Sequence, residues 1–162
     1  MLHALLTKMD DVRAFPQLSA HCDIPCGIYD PTSAQIYALS VLRYCQQIAG
    51  LTDSREDMAK FVRLVADKEK HTESVKHEVR IIWGDYFKGE LIERYPHIHS
   101  LSHDIMLAGS TVKQSVAIDK AEELVALVNE FAETFWESKG VETYRAICPY
   151  EPKVETVYTQ LG

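Results

Sequence analysis

Apolar residues recur along this chain at alternating spacings of four and three, the period of a helix with one buried face. Ala34, Ala38, Val41, Cys45 and Ile48 form the first such stripe. Asp30-Pro31 marks its start and Gly50 its stop. Asp accepts from the first unpaired amides of a helix, and Pro at the first helical position has no amide to leave unpaired. A second stripe runs through Met58, Phe61, Val65, Lys68, Thr72, Val75, Val79 and Ile82, opening at Ser54 with Asp57 as its capping partner. Lys68 and Thr72 interrupt the apolar row in its middle, beside Glu69 and His71. Such a polar layer is a register device, a functional centre, or a lysine whose stem carries its charge back to solvent.

Trp83 to Gly89 breaks the periodicity and predicts a connecting loop. Tyr95-Pro96 opens a third helix carrying Ile98, Leu101, Ile105, Ala108 and Val112, with Gly109 to Ser115 read as its frayed end and the next turn. A fourth helix, from about Val116 to Lys139, carries Ile118, Ala121, Val125, Val128, Ala132 and Phe135 and is capped by Gly140. The pattern predicts an all-α fold, an antiparallel up-down four-helix bundle over residues 31–140. Residues 141–162 show little periodicity. Their prolines, Pro149 and Pro152, predict an extended arm along the surface or across to a neighbouring subunit.

Composition narrows the class of partner. The formal net charge of −7 argues against nucleic acid and against an anionic membrane surface. No apolar run approaches the roughly 18 residues a membrane span needs. Four cysteines, Cys22 and Cys26 together and Cys45 and Cys148 apart, are too sparse for a secreted disulfide scaffold and point to a reduced, cytoplasmic chain. Cys45 on its apolar stripe reads as a small buried hydrophobe. Residues 1–20 lack the form of a secretory signal: Leu2 to Leu6 is short and broken by His3, and Asp10-Asp11 follows. They read as a short leading helix ended by Pro16, or as a segment to be removed, since Ser19-Ala20 places small residues just before His21.

Bundles commonly host di-iron sites built on Glu-x-x-His pairs. No Glu in this chain has a His three residues later, and Glu73 and His77 stand four apart. His97, His99 and His103 cluster without a well-placed acidic or thiol ligand and read as helix-face histidines. His21 adjoins Cys22, but no protease or thiol-transferase signature surrounds them. What remains is the run His21-Cys22-Asp23-Ile24-Pro25-Cys26-Gly27-Ile28-Tyr29-Asp30-Pro31. Its ligand types fit a metal clip, a loop disulfide or a redox thiol pair.

Read whole, His-Cys-Asp-x-Pro-Cys-Gly-x-Tyr-Asp-Pro closely resembles the hook of the nickel-containing superoxide dismutases, and the likeness continues through Trp83, Asp85-Tyr86-Phe87-Lys88 and the Tyr95-Pro96 helix start. The resemblance covers about residues 21–139. It implies that a processing peptidase removes leader residues 1–20, leaving His21 as the N-terminus of a hook over 21–30. One nickel ion per subunit would then be held by the amine and imidazole of His21, the backbone nitrogen and thiolate of Cys22, and the thiolate of Cys26. Nitrogen and thiolate donors suit nickel and lower its Ni(III)/Ni(II) potential. The thiols must deprotonate to bind, so loading weakens as pH falls.

The same resemblance assigns Tyr29 and Tyr86 to the open face of the metal, and pairs Asp23 with Lys88 to fix the hook. Lys88 also offers positive charge to an anionic substrate. It gives Pro25 the tight turn between the cysteines, through a cis bond as in the family, and Gly27 the exit from it. Phe87 reads as a loop anchor. Two positions depart from the family: Tyr37 and His71 stand where its members commonly carry a Glu and an Arg that orient the histidine ligand. The implied activity is disproportionation of superoxide to oxygen and hydrogen peroxide in a homo-oligomer, a hexamer in the family. The competing reading is a non-catalytic module holding nickel, copper or zinc for storage or delivery on His21, Cys22 and Cys26.

Overall fold

The computed structural model of the chain describes residues 27–160. Residues 1–20, expected to be a leader, and the six hook positions 21–26, including His21, Cys22, Asp23, Pro25 and Cys26, lie outside them. The first helix, α1, spans Thr32–Ala49. Asp30 Oδ1 accepts the Thr32 amide at 2.8 Å, and Pro31, already helical at φ −74°, passes its carbonyl to Gln35 N at 3.1 Å. The Asp-Pro start is therefore realised as expected. The second helix, α2, spans Arg55–Ile81. Ser54 Oγ accepts the Asp57 amide at 3.1 Å, while the Asp57 carboxylate accepts the amide and hydroxyl of Thr52.

The stretch expected as a loop after α2 is helical for one more turn. Ile82–Tyr86 forms a π-helical turn, closed where the Phe87 amide reaches back to the Ile82 carbonyl at 3.3 Å. That extra residue per turn re-aims Phe87 inward, where it is 1% exposed and meets Tyr86, Tyr95 and Phe131. A short helix, α3 (Glu90–Arg94), was not foreseen. The next helix, α4, spans Ile98–Gln114 and runs unfrayed through Gly109, which packs against Lys76 and Thr72 of α2. The last, α5, spans Ile118–Ser138. It ends in a Schellman turn, with Gly140 at φ 70°, Gly140 N bonded to Glu137 O and Val141 N to Trp136 O.

The core lies between the four long helices. α1 packs against α2 and α5, and α4 packs against the same two. Every residue of the α1 stripe is buried. On α2 the stripe fails at its start: Met58 and Phe61 are 60% and 44% exposed. At 1.5 Å per residue α1 is about 27 Å long and α2 about 40 Å. Tyr29 meets Tyr86, whereas Tyr37 and Tyr44 meet His71, so the two helices run in opposite senses and the first turns of α2 overhang the end of α1.

Lys68 does not reach solvent. It is 1% exposed, and its Nζ donates to the carbonyls of Val112, Lys113 and Ser115, capping the C-terminal end of α4. Thr72 Oγ1 donates to the Lys68 carbonyl at 2.8 Å. The polar layer is a structural cap joining two helices.

The fold is mostly helical but not all-α, and the tail is not an extended arm. Strands β1 (Thr143–Ile147) and β2 (Glu155–Thr159) pair antiparallel as a hairpin, with Tyr144 opposite Tyr158 and Arg145 opposite Val157. Pro149 and the cis-bonded Pro152 sit in the connecting turn, where no ladder amide is needed. The outward edge of β2 is met by two side-chain amides. Asn129 Nδ2 donates to Glu155 O, Asn129 Oδ1 accepts from Val157 N, and Gln35 Nε2 donates to Val157 O and Asn129 Oδ1. Among the described residues no helix is long and apolar enough to cross a membrane.

Candidate metal centre

Gly27, at φ 74°, leads out of the hook into Ile28, Tyr29 and the Asp30 cap of α1. The start of α1 and the π-helical end of α2 thereby bring Tyr29 and Tyr86 together, with ring centroids 5.8 Å apart at 50°. Both rings are half-buried. Tyr86 is held on two further sides: its ring packs on Phe87 at 5.0 Å and on Phe135 at 4.9 Å. Its hydroxyl lies 2.8 Å from Ser138 Oγ. Ser138 has one hydroxyl proton and gives it to the Phe135 carbonyl at 2.6 Å, so Tyr86 donates and Ser138 accepts. Lys139, the residue after α5, sets its Nζ 4.5 Å above the Tyr86 ring centroid.

Other expected site residues fall elsewhere. Lys88 is exposed on the turn between Phe87 and α3. His71 lies fifteen residues before Tyr86, about 22 Å back along α2. There it stands between two phenol rings of α1, Tyr37 at 5.4 Å and Tyr44 at 5.3 Å, with its Nδ1 2.8 Å from the Asp67 carbonyl. A carbonyl only accepts, so Nδ1 carries a proton and donates it. The Tyr37–His71 pair is thus preserved as a contact, but apart from the Tyr29–Tyr86 pair. Ser138, Lys139 and Tyr44 were not foreseen. The only signal for the first two is their position in the last turn before Gly140.

The histidine cluster is used in packing: Trp83 Nε1 donates to His99 Nδ1 at 3.0 Å, and His97 Nε2 lies 3.3 Å from Thr134 Oγ1. Glu73 is committed to Arg80 and Lys113, which hold its carboxyl below the usual range, the Arg80 hydrogen bond most. Cys45 and Cys148 are free thiols and buried, and burial pushes the Cys45 thiol up. Among the described residues no group of three or more His, Cys, Asp or Glu side chains is arranged to hold a metal ion. In the sequence, residues 21–26, which precede the described residues, carry one imidazole and two thiols. These fit a nitrogen- and sulfur-binding metal such as nickel.

A mostly helical scaffold with a phenol pair, following a donor-rich stretch of sequence, is consistent with a small metalloenzyme. The chain belongs to the nickel-containing superoxide dismutase family, whose profile matches residues 16–139. It is 37% identical over 122 residues to the superoxide dismutase [Ni] of Streptomyces coelicolor, covering 75% of this chain and 90% of that protein. The corresponding protein of Streptomyces seoulensis is 34% identical over 123 residues, covering 76% and 91%. Among solved structures, a native nickel superoxide dismutase superposes with a TM-score of 0.67 at 36% identity, over 74% of this chain and 99% of the other. Its metal-free counterpart superposes with a TM-score of 0.65 at 33% identity, over 70% and 99%. The hairpin at 143–159 lies beyond the matched region.

Proposed function

We propose that this protein removes superoxide at the hook, with Tyr29 and Tyr86 as the substrate-facing groups. The activity, disproportionation of superoxide to oxygen and hydrogen peroxide, and the nickel cofactor are those of its family. Nickel, when bound, would supply a one-electron Ni(III)/Ni(II) couple. Two superoxide anions and two protons yield one oxygen and one peroxide, so the protein must admit an anion and deliver protons. The observation that carries this reading is the phenol pair at the hook's exit, 5.8 Å between centroids, one ring locked by Ser138 and the other on the hook itself.

In detail, residues 1–20 are a leader removed by a peptidase, 21–30 the hook, 31–140 an antiparallel up-down four-helix bundle and 141–162 an extension. His21, Cys22 and Cys26 hold nickel, and Pro25 shapes the turn between the thiolates. Asp23 pairs with Lys88 to seat the hook. Tyr37 and His71, in contact across α1 and α2, orient the His21 imidazole. The enzyme works in the cytoplasm as a homo-oligomer, the hexamer expected from the family.

The test uses leader-processed protein loaded with nickel. Altering His21 or either hook cysteine is expected to abolish superoxide removal, and a Cys26→Ser variant that keeps its activity contradicts the assignment. Stoichiometric nickel binding without superoxide removal would instead favour a storage or delivery module.

A further inference from the structure

We propose that Lys139 is part of the substrate-handling machinery, its ammonium being the positive charge that draws the anion onto the Tyr29–Tyr86 pair. The inference rests on the reading of that pair as substrate-facing. With 24 acidic against 17 basic side chains, the molecule as a whole repels an anion. Charges beyond about 8 Å are largely screened at physiological salt, so what counts is a cation close to the reacting site. Lys139 Nζ stands 4.5 Å from the Tyr86 ring centroid and 5.8 Å from that of Phe135.

Three observations separate Lys139 from the other cations. Its charge is not cancelled: it forms no ion pair among the described residues, whereas Arg80, Lys113, Lys120, Arg145 and Lys153 all face carboxylates. Lys68 is spent on three carbonyls. Its position is fixed, since the Gly140 turn sets its backbone and the ring beneath it is held by Ser138, Phe87 and Phe135. It is also exposed, so a diffusing anion can meet it. Lys88, expected from the sequence to supply this charge, makes no ring contact among the described residues.

A purely structural lysine, stacked on a ring at a helix C-terminus, would alter the unfolding midpoint and leave the salt dependence of catalysis untouched. The experiment therefore follows kcat/KM for superoxide against ionic strength in nickel-loaded, processed protein. Lys139→Gln is compared with Lys139→Arg and with Lys60→Gln, an equal charge change on an exposed residue in the overhanging end of α2. Lys139→Gln is expected to lower kcat/KM about two- to fivefold at low ionic strength, with the difference vanishing in high salt and Arg restoring it. The proposal is overturned if Lys139→Gln tracks Lys60→Gln at every ionic strength, or if Arg fails to restore the rate.

A second measurement needs no metal. In the nickel-free protein, relaxation of the Tyr86 ring protons by an anionic nitroxide relative to a neutral one reports the local potential. That ratio should fall in Lys139→Gln, and an unchanged ratio overturns the proposal. Tyr29→Phe and Tyr86→Phe separate the two claims. If both leave turnover unchanged while Lys139→Gln flattens the salt dependence, the phenol assignment fails and the steering charge stands. If both slow turnover while Lys139→Gln tracks the control, only the steering charge is lost.

Discussion

A lysine that is 1% exposed keeps its charge only where each N–H group has an acceptor, and Lys68 finds three at the end of α4. Removing the ammonium while keeping the stem takes away the hydrogen bonds it gives to Lys113 and Ser115 and leaves the Val112 carbonyl only the Ser115 amide. Lys68→Met is therefore expected to lose about 2–4 kcal/mol of unfolding free energy, seen as a lower urea midpoint at unchanged slope. Ser138 works on a smaller scale, accepting a single proton from Tyr86. Ser138→Ala should lose about 1 kcal/mol in the same measurement. The sequence marks Lys68 as a polar intruder on an apolar row but gives no hint of its acceptors, which lie 44 to 47 residues away. Likewise Tyr29 and Tyr86 are legible as members of a motif, while Ser138 and Lys139 are ordinary helix-end residues until the fold sets them beside Tyr86.

The helices were legible because each repeats one physical demand, an apolar side chain every three or four positions, over four turns or more. Their starts were legible because Asp30 and Ser54 satisfy amides within three residues of themselves. The α2 start also predicts a pH response. Asp57 is held below the usual carboxylate range chiefly by the Thr52 hydroxyl, then by the Thr52 amide. Its folded value lies under its unfolded one, so its contribution is complete above the ordinary aspartate range and is lost as pH falls through the lowered value. Thermal unfolding followed from about pH 6 to pH 2 should show a shallower acid limb in Asp57→Asn than in the parent. The hairpin escaped because each strand has only five residues and what docks it is remote: Gln35 and Asn129 line the β2 edge as a third strand would. Asn129→Leu keeps the volume and breaks that edge. Loss of about 3 kcal/mol is expected, with faster hydrogen exchange at the Val157 amide, which bonds to Asn129 rather than to β1.

At the scale of the whole molecule, the helical scaffold holds the Tyr29–Tyr86 pair at one end, and the proposed ligands lie in a short segment whose chemistry would depend on where the chain begins. With residues 1–20 attached, the nitrogen of His21 is an amide, whose lone pair is delocalised and which must lose a proton to bind a metal. Freed by cleavage after Ala20, the same atom is an amine with a lone pair ready to donate. On the proposed reading, the donor set of His21, Cys22 and Cys26 would therefore gain a ligand on processing. The proposal thus separates a full-length chain with an incomplete site from a processed chain with a complete one. The expected outcome is that processed protein retains stoichiometric nickel through a chelating wash and removes superoxide. A form with Ala20 replaced to block cleavage should lose nickel in the same wash and show no activity, with the same helical circular dichroism. Intact mass of each sample fixes which N-terminus it carries. Equal nickel retention and equal activity in the uncleaved form would show that the amine is not a ligand and that residues 1–20 serve some other end.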